Sequence, residues 1–229
     1  MQQNPAVGAD GVANSFNRIL DHDPISGTFG TDDGIRRFPH FGRRLVEAAR
    51  LSPGMQVLDV ATGRGAVLFP AVDLVGSTGH VVGIDLAPGM VQSTAKDVEQ
   101  RALSNVEVRQ MDAEHLDFAD RSFDAILCGF GLMFFPHVSD ALAAFRRVLR
   151  PGALLAVSTW AETDPAFAWE MDLWRRYEIV DRHPSNLMAQ RLNKPSELHR
   201  LLDTASFRDI DVRAEADPRM HADEDEWWT

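Results

Sequence analysis

The sequence predicts an α/β fold in which helices cover both faces of a doubly wound, mostly parallel sheet. Between Met55 and Thr159, apolar segments of strand length alternate with segments of helix length, which is typical of parallel sheets. The first strand runs directly into a turn that contains Gly63 and Gly65. Crossovers in parallel sheets are right-handed, which gives the doubly wound topology. Because the turn follows the first strand, it is expected at the carboxyl edge of the sheet, where ligands bind.

The composition is that of one globular domain. Of 229 residues, 45% are hydrophobic and 25% are charged, and no break in the pattern divides the chain, so we expect a single domain over 1–229. The one cysteine, Cys128, excludes an internal disulfide and a cysteine-based zinc site. Residues 1–10 lack a signal-peptide pattern, and the longest uncharged apolar stretch, 125–136, is too short to span a bilayer. These observations predict no membrane span and a cytoplasmic location.

The charge distribution argues against a nucleic-acid partner. The net charge is −11, and after Leu201 nine acidic residues face three arginines. A phosphate backbone would be repelled there. An acidic surface that only keeps the protein soluble gives the same pattern. The charge therefore argues against a nucleic-acid partner but does not identify the actual one.

The elements follow in order. Segment 1–50 is predicted to be helical at 12–20 and 38–50, with a loop at 21–34, and 51–160 forms the core. Strands are predicted at 57–60, 81–85, 106–110, 123–128 and 153–159, and a sixth at 207–214. Core helices are predicted at 66–75, at 89–103 and at 139–149, where a turn at 150–152 ends the last one.

Glycines and an acid predict a ribose site at the carboxyl edge. Gly63 and Gly65 allow a ligand to approach the backbone, since neither has a Cβ. Asp85 ends the second strand about 20 residues later, where an acid accepts hydrogen bonds from both ribose hydroxyls. As an alternative, Asp85 caps the helix that begins near Pro88.

The same pattern favours a nucleoside over a dinucleotide. A dinucleotide site requires a small third residue in its glycine motif, and Leu68 occupies that position. Asp112 follows the third strand, where it could accept a hydrogen bond from an adenine amine while the amide of Ala113 donates to a ring nitrogen. These features predict adenosine carrying a group other than phosphate.

Five blocks in order resemble the class I S-adenosylmethionine-dependent methyltransferases, in the quinone-biosynthesis-like branch that methylates small molecules. The blocks are VLDVATGRG at 57–65, GIDLAPGM at 83–90, DAE at 112–114, SFDA at 122–125 and RVLRPG at 147–152. The resemblance covers about 41–159 and implies a Rossmann-like methyltransferase fold with N-terminal helices and a helical lid after the fifth strand. It also implies S-adenosyl-L-methionine as cofactor and S-adenosyl-L-homocysteine as product.

The resemblance implies a role for nine residues in cofactor binding. Backbone atoms of Ala61 and Gly63 would line the methionine tail, Asp59 would hold its ammonium through water, and the carbonyl of Cys128 would accept from it. Alanine at 61 departs from the usual glycine, at a small cost if its φ is negative. The remaining five would bind the nucleoside: Asp85 at the ribose, Leu86 and Met90 against the adenine faces, and Asp112 and Ala113 at the adenine edge.

The acceptor side gives a class of substrate but no catalytic residue. The apolar segment 129–135 predicts a hydrophobic small-molecule acceptor, with O-, C- or N-methylation left open. His137 is a candidate general base or only shapes its loop. His22 and His40 are weaker candidates, and Asp21-His22-Asp23 indicates a solvated loop, so no metal site is predicted.

The C-terminal third is expected to hold the lid and the end of the sheet. In the family, segment 161–195 would form the acceptor lid, here with Phe167, Met171, Trp174 and Glu178 on one helix face beside Trp169 and Tyr177, or these aromatics only cover the sheet. Segment 196–229 would add a final helix and strand. Two tryptophans near Thr229 predict that the natural chain continues or that a partner chain, as in a homodimer, covers this edge.

Two other functions remain open at this point. The first is the same fold with the cofactor retained for a non-methylating reaction such as cyclisation. The second is a non-enzymatic binding module.

Overall fold

The computed structural model describes residues 32–161, 176 and 192–215. Its elements in chain order are α1 (Asp32–Ala49), β1 (Gln56–Val60), α2 (Leu68–Val75), β2 (His80–Asp85), α3 (Pro88–Gln100), β3 (Val106–Gln110), β4 (Phe123–Gly129), a 3-10 turn (Leu132–Phe134), α4 (Val138–Val148), β5 (Leu149–Ser158) and α5 (Pro195–Thr204).

The strands form one parallel sheet, which confirms the predicted fold class. Their order is β3-β2-β1-β4-β5, and every neighbouring pair is parallel. The chain moves outward from β1 to β3 on one side and then crosses to β4 on the other. The switch in strand order therefore lies between β1 and β4, and it opens a crevice at their carboxyl ends.

The two sheet faces are buried by different helices. On one face, Val57 and Leu127 pack with apolar residues of α1 and α2. On the opposite face, Leu58 and Ile126 pack with apolar residues of α4 and α5. Because successive side chains of a strand point to opposite faces, this alternation requires helices on both sides of the sheet.

Helix α1 begins earlier than the sequence predicts. The predicted loop extends to Gly34, whereas the helix already includes Asp32 and contains Pro39. Glycine and proline disfavour a helix interior, which is why the pattern placed the start at Phe38. Packing of Leu45 and Val46 against the sheet stabilises the helix despite these residues.

Strand β5 also begins earlier, because the predicted turn at 150–152 is an irregularity within the strand. Phe123 of β4 pairs with Leu149, whereas Ala125 pairs with Leu154, so β5 holds three extra residues between the two pairs. Gly152 has a φ of +78° there, a conformation that glycine adopts without steric cost.

The predicted sixth strand at 207–214 is wrong. These residues have no strand pairing and follow α5 as irregular chain. Phe207, Ile210 and Val212 still pack against the core, which explains the strand-like alternation. Asp209 has a φ of +53°, and a left-handed residue interrupts an extended conformation.

Several predictions lie outside the described residues, namely the helix at 12–20, His22, the aromatic face of the lid and the C-terminal tryptophans. In the part of the chain that the structure describes, no helix combines the length and apolarity needed to cross a membrane.

Candidate functional site

The turn after β1 centres on Gly63, which is braced from two sides. Its amide donates to Oδ2 of Asp85 at 2.9 Å, and its carbonyl accepts from Oγ1 of Thr94 at 2.6 Å. Gly63 has a φ of +52°, and a Cβ built on it would meet no atom of the described residues within 4 Å. The backbone is therefore fixed while space remains open beside its α-carbon, as a site for close ligand approach requires.

Ala61 adopts a positive φ, so the condition under which alanine would cost little here is not met. Its φ is +56°, and an L-residue with a Cβ pays about 1–2 kcal/mol for the left-handed region. The segment after β4 packs against it, because a Cβ on Gly131 would lie only 2.6 Å from the Cβ of Ala61 and 2.9 Å from Sγ of Cys128.

Asp59 is a buried carboxylate with one oxygen left over. The residue is 1% exposed, and its Oδ2 accepts from the hydroxyl of Thr62 at 2.7 Å. Its Oδ1 has no hydrogen-bond partner among the residues that the structure describes. Burial raises the pKa of Asp59 to about 7, Asp85 raises it further through repulsion, and the hydroxyl of Thr62 and the amide of Leu68 partly offset the rise. An unpaired buried oxygen of this kind is costly unless a ligand satisfies it.

Asp85 joins two turns at the carboxyl end of β2. Its Oδ2 accepts from the amide of Gly63, and its Oδ1 accepts from the amide of Ala87 at 2.9 Å. Burial raises the pKa of Asp85, and these amides partly offset the rise. The sequence left ribose binding and helix capping as alternatives. The amide of Ala87 precedes α3, so Asp85 orders the start of that helix, and its Oδ2 also holds the glycine turn through the amide of Gly63.

The turn after β3 contains the predicted adenine-edge residues. Oδ1 of Asp112 accepts from the amide of Glu114 at 2.9 Å, and its Oδ2 lies 3.0 Å from Nδ1 of His115. Pairing with Asp112 raises the pKa of the exposed His115. Ala113 is buried at 7% exposure. The carboxylate is thus oriented by its own turn.

The other predicted residues lie on neighbouring elements. Leu86 directly follows β2 and accepts a bond from Nε2 of Gln110 at 3.1 Å, and Met90 is buried in the first turn of α3. Cys128 is fully buried in β4 opposite Val157. Burial raises the pKa of its thiol to about 12, so the side chain stays neutral and is not a nucleophile at ordinary pH.

Four aromatic rings meet where β4 and β5 end. Phe38 and Phe41 from α1 contact both Phe130 and Trp160 in edge-to-face geometry. The rings of Phe130 and Trp160 stack, with their centroids 4.3 Å apart and an angle of 30° between the ring planes. Phe130 adopts a φ of +56°. We refer to these four residues as the aromatic cluster.

His137 lies at the start of α4, where its ring is exposed. Its amide donates to Oε1 of Glu114 at 2.6 Å, and its Nδ1 lies 3.0 Å from Oε2 of the same residue. Together with Asp140 these side chains form a group whose ligand atoms all lie within 4.8 Å of one another. His40, the other described histidine candidate, packs its ring against Phe41.

Sequence reasoning assigned no role to Thr62, Thr94 and Glu114, which hold the site residues in place. Thr94 is fully buried within α3. Threonine is a weak helix former, and its place among the polar residues of this helix could have indicated a special contact. The role of Glu114 had no local sequence signal, because its partner His137 lies 23 residues away in the chain.

Comparisons with known proteins identify the family of the chain. The family model described as a methyltransferase domain matches residues 57–152. An aklanonic acid methyltransferase from Streptomyces sp. (strain C5) is 41% identical over 55% of this chain and 57% of its own length. A ubiquinone/menaquinone biosynthesis C-methyltransferase from Teredinibacter turnerae is 31% identical over 87% of this chain and 77% of the relative. The chain thus spans little more than half of the first relative and about three quarters of the second.

Two solved structures share the fold. A SAM dependent methyltransferase from Aquifex aeolicus superposes with a TM-score of 0.64 at 26% identity, over 82% of this chain and 90% of that one. The 4+2 cyclase SpnF superposes with a TM-score of 0.58 at 25% identity, over 73% of this chain and 56% of that one. Sequence blocks, strand order and relatives agree, and this chain belongs to the family of S-adenosylmethionine-dependent methyltransferases.

Proposed function

We propose that this chain binds S-adenosylmethionine at the carboxyl edge of its sheet and transfers the methyl group to a hydrophobic small molecule, with release of S-adenosylhomocysteine. The observation that carries the proposal is Oδ1 of Asp59, which is buried beside the open turn at Gly63 and has no hydrogen-bond partner within the described part of the chain. A carboxylate in that position favours a ligand that brings a positive charge and hydrogen-bond donors. The ammonium of a methionine tail supplies both, directly or through a bound water.

The nucleoside half fits the neighbouring turns. Asp85 presents its remaining lone pairs to ribose hydroxyls while the amides of Gly63 and Ala87 hold its carboxylate. Asp112 and Ala113 occupy the next turn along the edge and would read the adenine edge. Leu86 and Met90 would contact the adenine faces, and the carbonyl of Cys128 would complete the site for the ammonium.

The bound cofactor would supply a methyl group already activated by a positively charged sulfur. The chain's part is then to align the acceptor with that methyl group and to exclude water. A base is useful only for acceptors that must lose a proton, such as phenols. We assign no catalytic residue, and His137 remains a candidate base with an exposed ring.

The aromatic cluster supports a hydrophobic acceptor with an aromatic ring. It brings Phe130 and Trp160 together at the ends of β4 and β5, next to the contact between Ala61 in the turn after β1 and Gly131 in the segment after β4. Aromatic faces favour flat apolar ligands through stacking. The acceptor named for the aklanonic acid relative belongs to that protein, and we extend to this chain only the class of hydrophobic small molecules. A cytoplasmic location, a homodimer and the absence of a nucleic-acid partner remain part of this proposal.

The test is an assay for S-adenosylhomocysteine by mass spectrometry. The purified chain is incubated with S-adenosylmethionine and a panel of hydrophobic phenols, amines and activated carbons. We expect product with at least one acceptor, and loss of product in Asp85→Ala. The control is Asp73→Ala, which removes an exposed carboxylate from α2 and should leave activity intact. Methyl transfer would be contradicted if the chain binds the cofactor, forms no product with any acceptor and turns over a cyclisable substrate. That result would favour the cyclase alternative, which the shared fold of the 4+2 cyclase supports.

A further inference from the structure

Glu114 links two parts of the carboxyl edge that are distant in sequence. Its carboxylate is nearly buried, at 6% exposure, although its partner ring on His137 is 70% exposed. One oxygen accepts the backbone amide of His137 and the other contacts its Nδ1. A single side chain thus makes two bonds to the residue at which the segment after β4 ends and α4 begins.

The backbone of Glu114 is fixed at the same time on the nucleoside side. Its amide donates to Oδ1 of Asp112, the residue proposed to read the adenine edge. In the middle of the segment at 130–137, Leu132 and Met133 are fully buried. The segment at 130–137 is therefore anchored by apolar packing in its middle and by Glu114 at its end. It also carries Phe130 of the aromatic cluster and Gly131, which packs on Ala61.

We propose that Glu114 is a positioning residue that couples the turn at 112–115 to the segment at 130–137, so that a nucleoside bound at the turn also orders the acceptor side of the site. The inference rests on the proposed function, because it takes this turn to bind adenine. The coupling is mechanical: Asp112 shares the turn with Glu114, and a ligand that restrains the turn restrains the carboxylate that holds His137.

A divalent cation held by Glu114, His137 and Asp140 is the competing explanation of this cluster. Both oxygens of Glu114 are already engaged by groups of His137. The positive end of the α4 dipole also lies at this point, and it disfavours a cation. Geometry and charge therefore favour the coupling contact.

The experiment follows amide hydrogen exchange with S-adenosylhomocysteine as the probe. In the parent chain, saturating probe should slow exchange both at 112–115 and at 130–137. The amide of His137 should slow about tenfold or more, because restraint of the turn makes opening of its existing bond to Glu114 rarer. In Glu114→Ala, exchange at 112–115 should still slow, whereas the response at 130–137 should be lost. Glu114→Gln keeps an oxygen for the amide of His137 and should restore part of that response.

Asp140→Asn is the matched control. It removes a negative charge from the first turn of the same helix without altering either bond of Glu114, so its exchange pattern should equal the parent's. Probe-induced slowing at 130–137 that is equal in the parent, Glu114→Ala and Glu114→Gln would overturn the coupling alone. If the probe slows amide exchange in neither region of the parent, the proposed function is overturned, and this inference with it. Zn²⁺ that slows the amide of His137 without the probe would identify a metal site and also overturn the coupling.

Discussion

Protonation of Asp59 should make nucleoside binding depend on pH. Burial raises the pKa of this carboxyl to about 7, so about one tenth of the free protein carries it ionised at pH 6 and about half at pH 7. If only the ionised form binds the ammonium of the ligand, affinity for S-adenosylhomocysteine should rise about fivefold between these pH values, or about 1 kcal/mol. Binding should release about 0.9 proton at pH 6 and about 0.5 at pH 7, because the bound ammonium keeps Asp59 ionised.

The assay is calorimetric titration at both pH values in two buffers with different ionisation enthalpies. Asp59→Asn is the matched variant, since it preserves shape and cannot ionise. The pKa of Asp85 is also raised, so some dependence on pH can remain in the variant. The difference between parent and variant isolates Asp59. Equal affinity at pH 6 and pH 7 in the parent, or the same slope in Asp59→Asn, would refute the assignment of Asp59 to the ammonium.

The same carboxyl should act on stability with a defined sign. Its pKa is higher in the folded protein than the ordinary value of 3.8, so between about pH 4 and pH 7 the folded state holds a proton that the unfolded state has lost. The free energy of unfolding of the ligand-free protein should therefore fall as pH rises through this window, by at most about 1.4 kcal/mol per unit from this group. Urea denaturation of Asp59→Asn should give a flatter profile, and a profile as steep as the parent's would contradict the burial argument.

Three substitutions test the packing around the site. Ala61→Gly relieves the strain of the left-handed backbone but increases the conformational entropy of the unfolded chain. On balance it should stabilise the fold by about 0.5–1 kcal/mol, seen as a rise in Tm. A lower Tm would contradict the strain at Ala61. Gly131→Ala should lower stability by about 1–3 kcal/mol through its clash with Ala61, and Ala61→Gly should restore part of that loss. Equal losses in both backgrounds would show that the clash lies elsewhere. Trp160→Leu removes the stacking partner of Phe130. It should raise the KM for the acceptor about tenfold and leave the Kd for S-adenosylmethionine unchanged. A change in the cofactor Kd alone would contradict the role of the aromatic cluster in acceptor binding.

Much of the fold was predictable because strands and turns leave local signals. The alternation of apolar strands and helices located β1 to β4 to within a residue or two, since buried parallel strands are continuous apolar runs. The misassigned segment at 207–214 shows the limit of such patterns. Its apolar side chains pack on the core as those of a strand would, but pairing depends on a neighbouring backbone edge, which no local pattern specifies.

The candidate site was predictable in its residues and not in its conformation. Asp59, Asp85 and Gly63 stand at strand ends, so their position at one edge follows from topology. The positive φ of Ala61 depends on the three-dimensional turn, and so does the oxygen of Asp59 that lacks a partner among the residues described. The link from Glu114 to His137 joins residues 23 apart and was visible only in the folded chain.

We propose above all that the carboxyl edge of the sheet binds a nucleoside whose sulfur carries a positive charge. The most direct test is calorimetric titration of the parent chain and of Asp85→Ala with S-adenosylmethionine. The parent is also titrated with NAD, a probe that carries a pyrophosphate. We predict saturable one-to-one binding of S-adenosylmethionine to the parent, a Kd raised about a hundredfold or more in Asp85→Ala through loss of charge-assisted ribose contacts, and no competition from NAD. No binding of S-adenosylmethionine to the parent, unchanged affinity in Asp85→Ala, or displacement by NAD would contradict it.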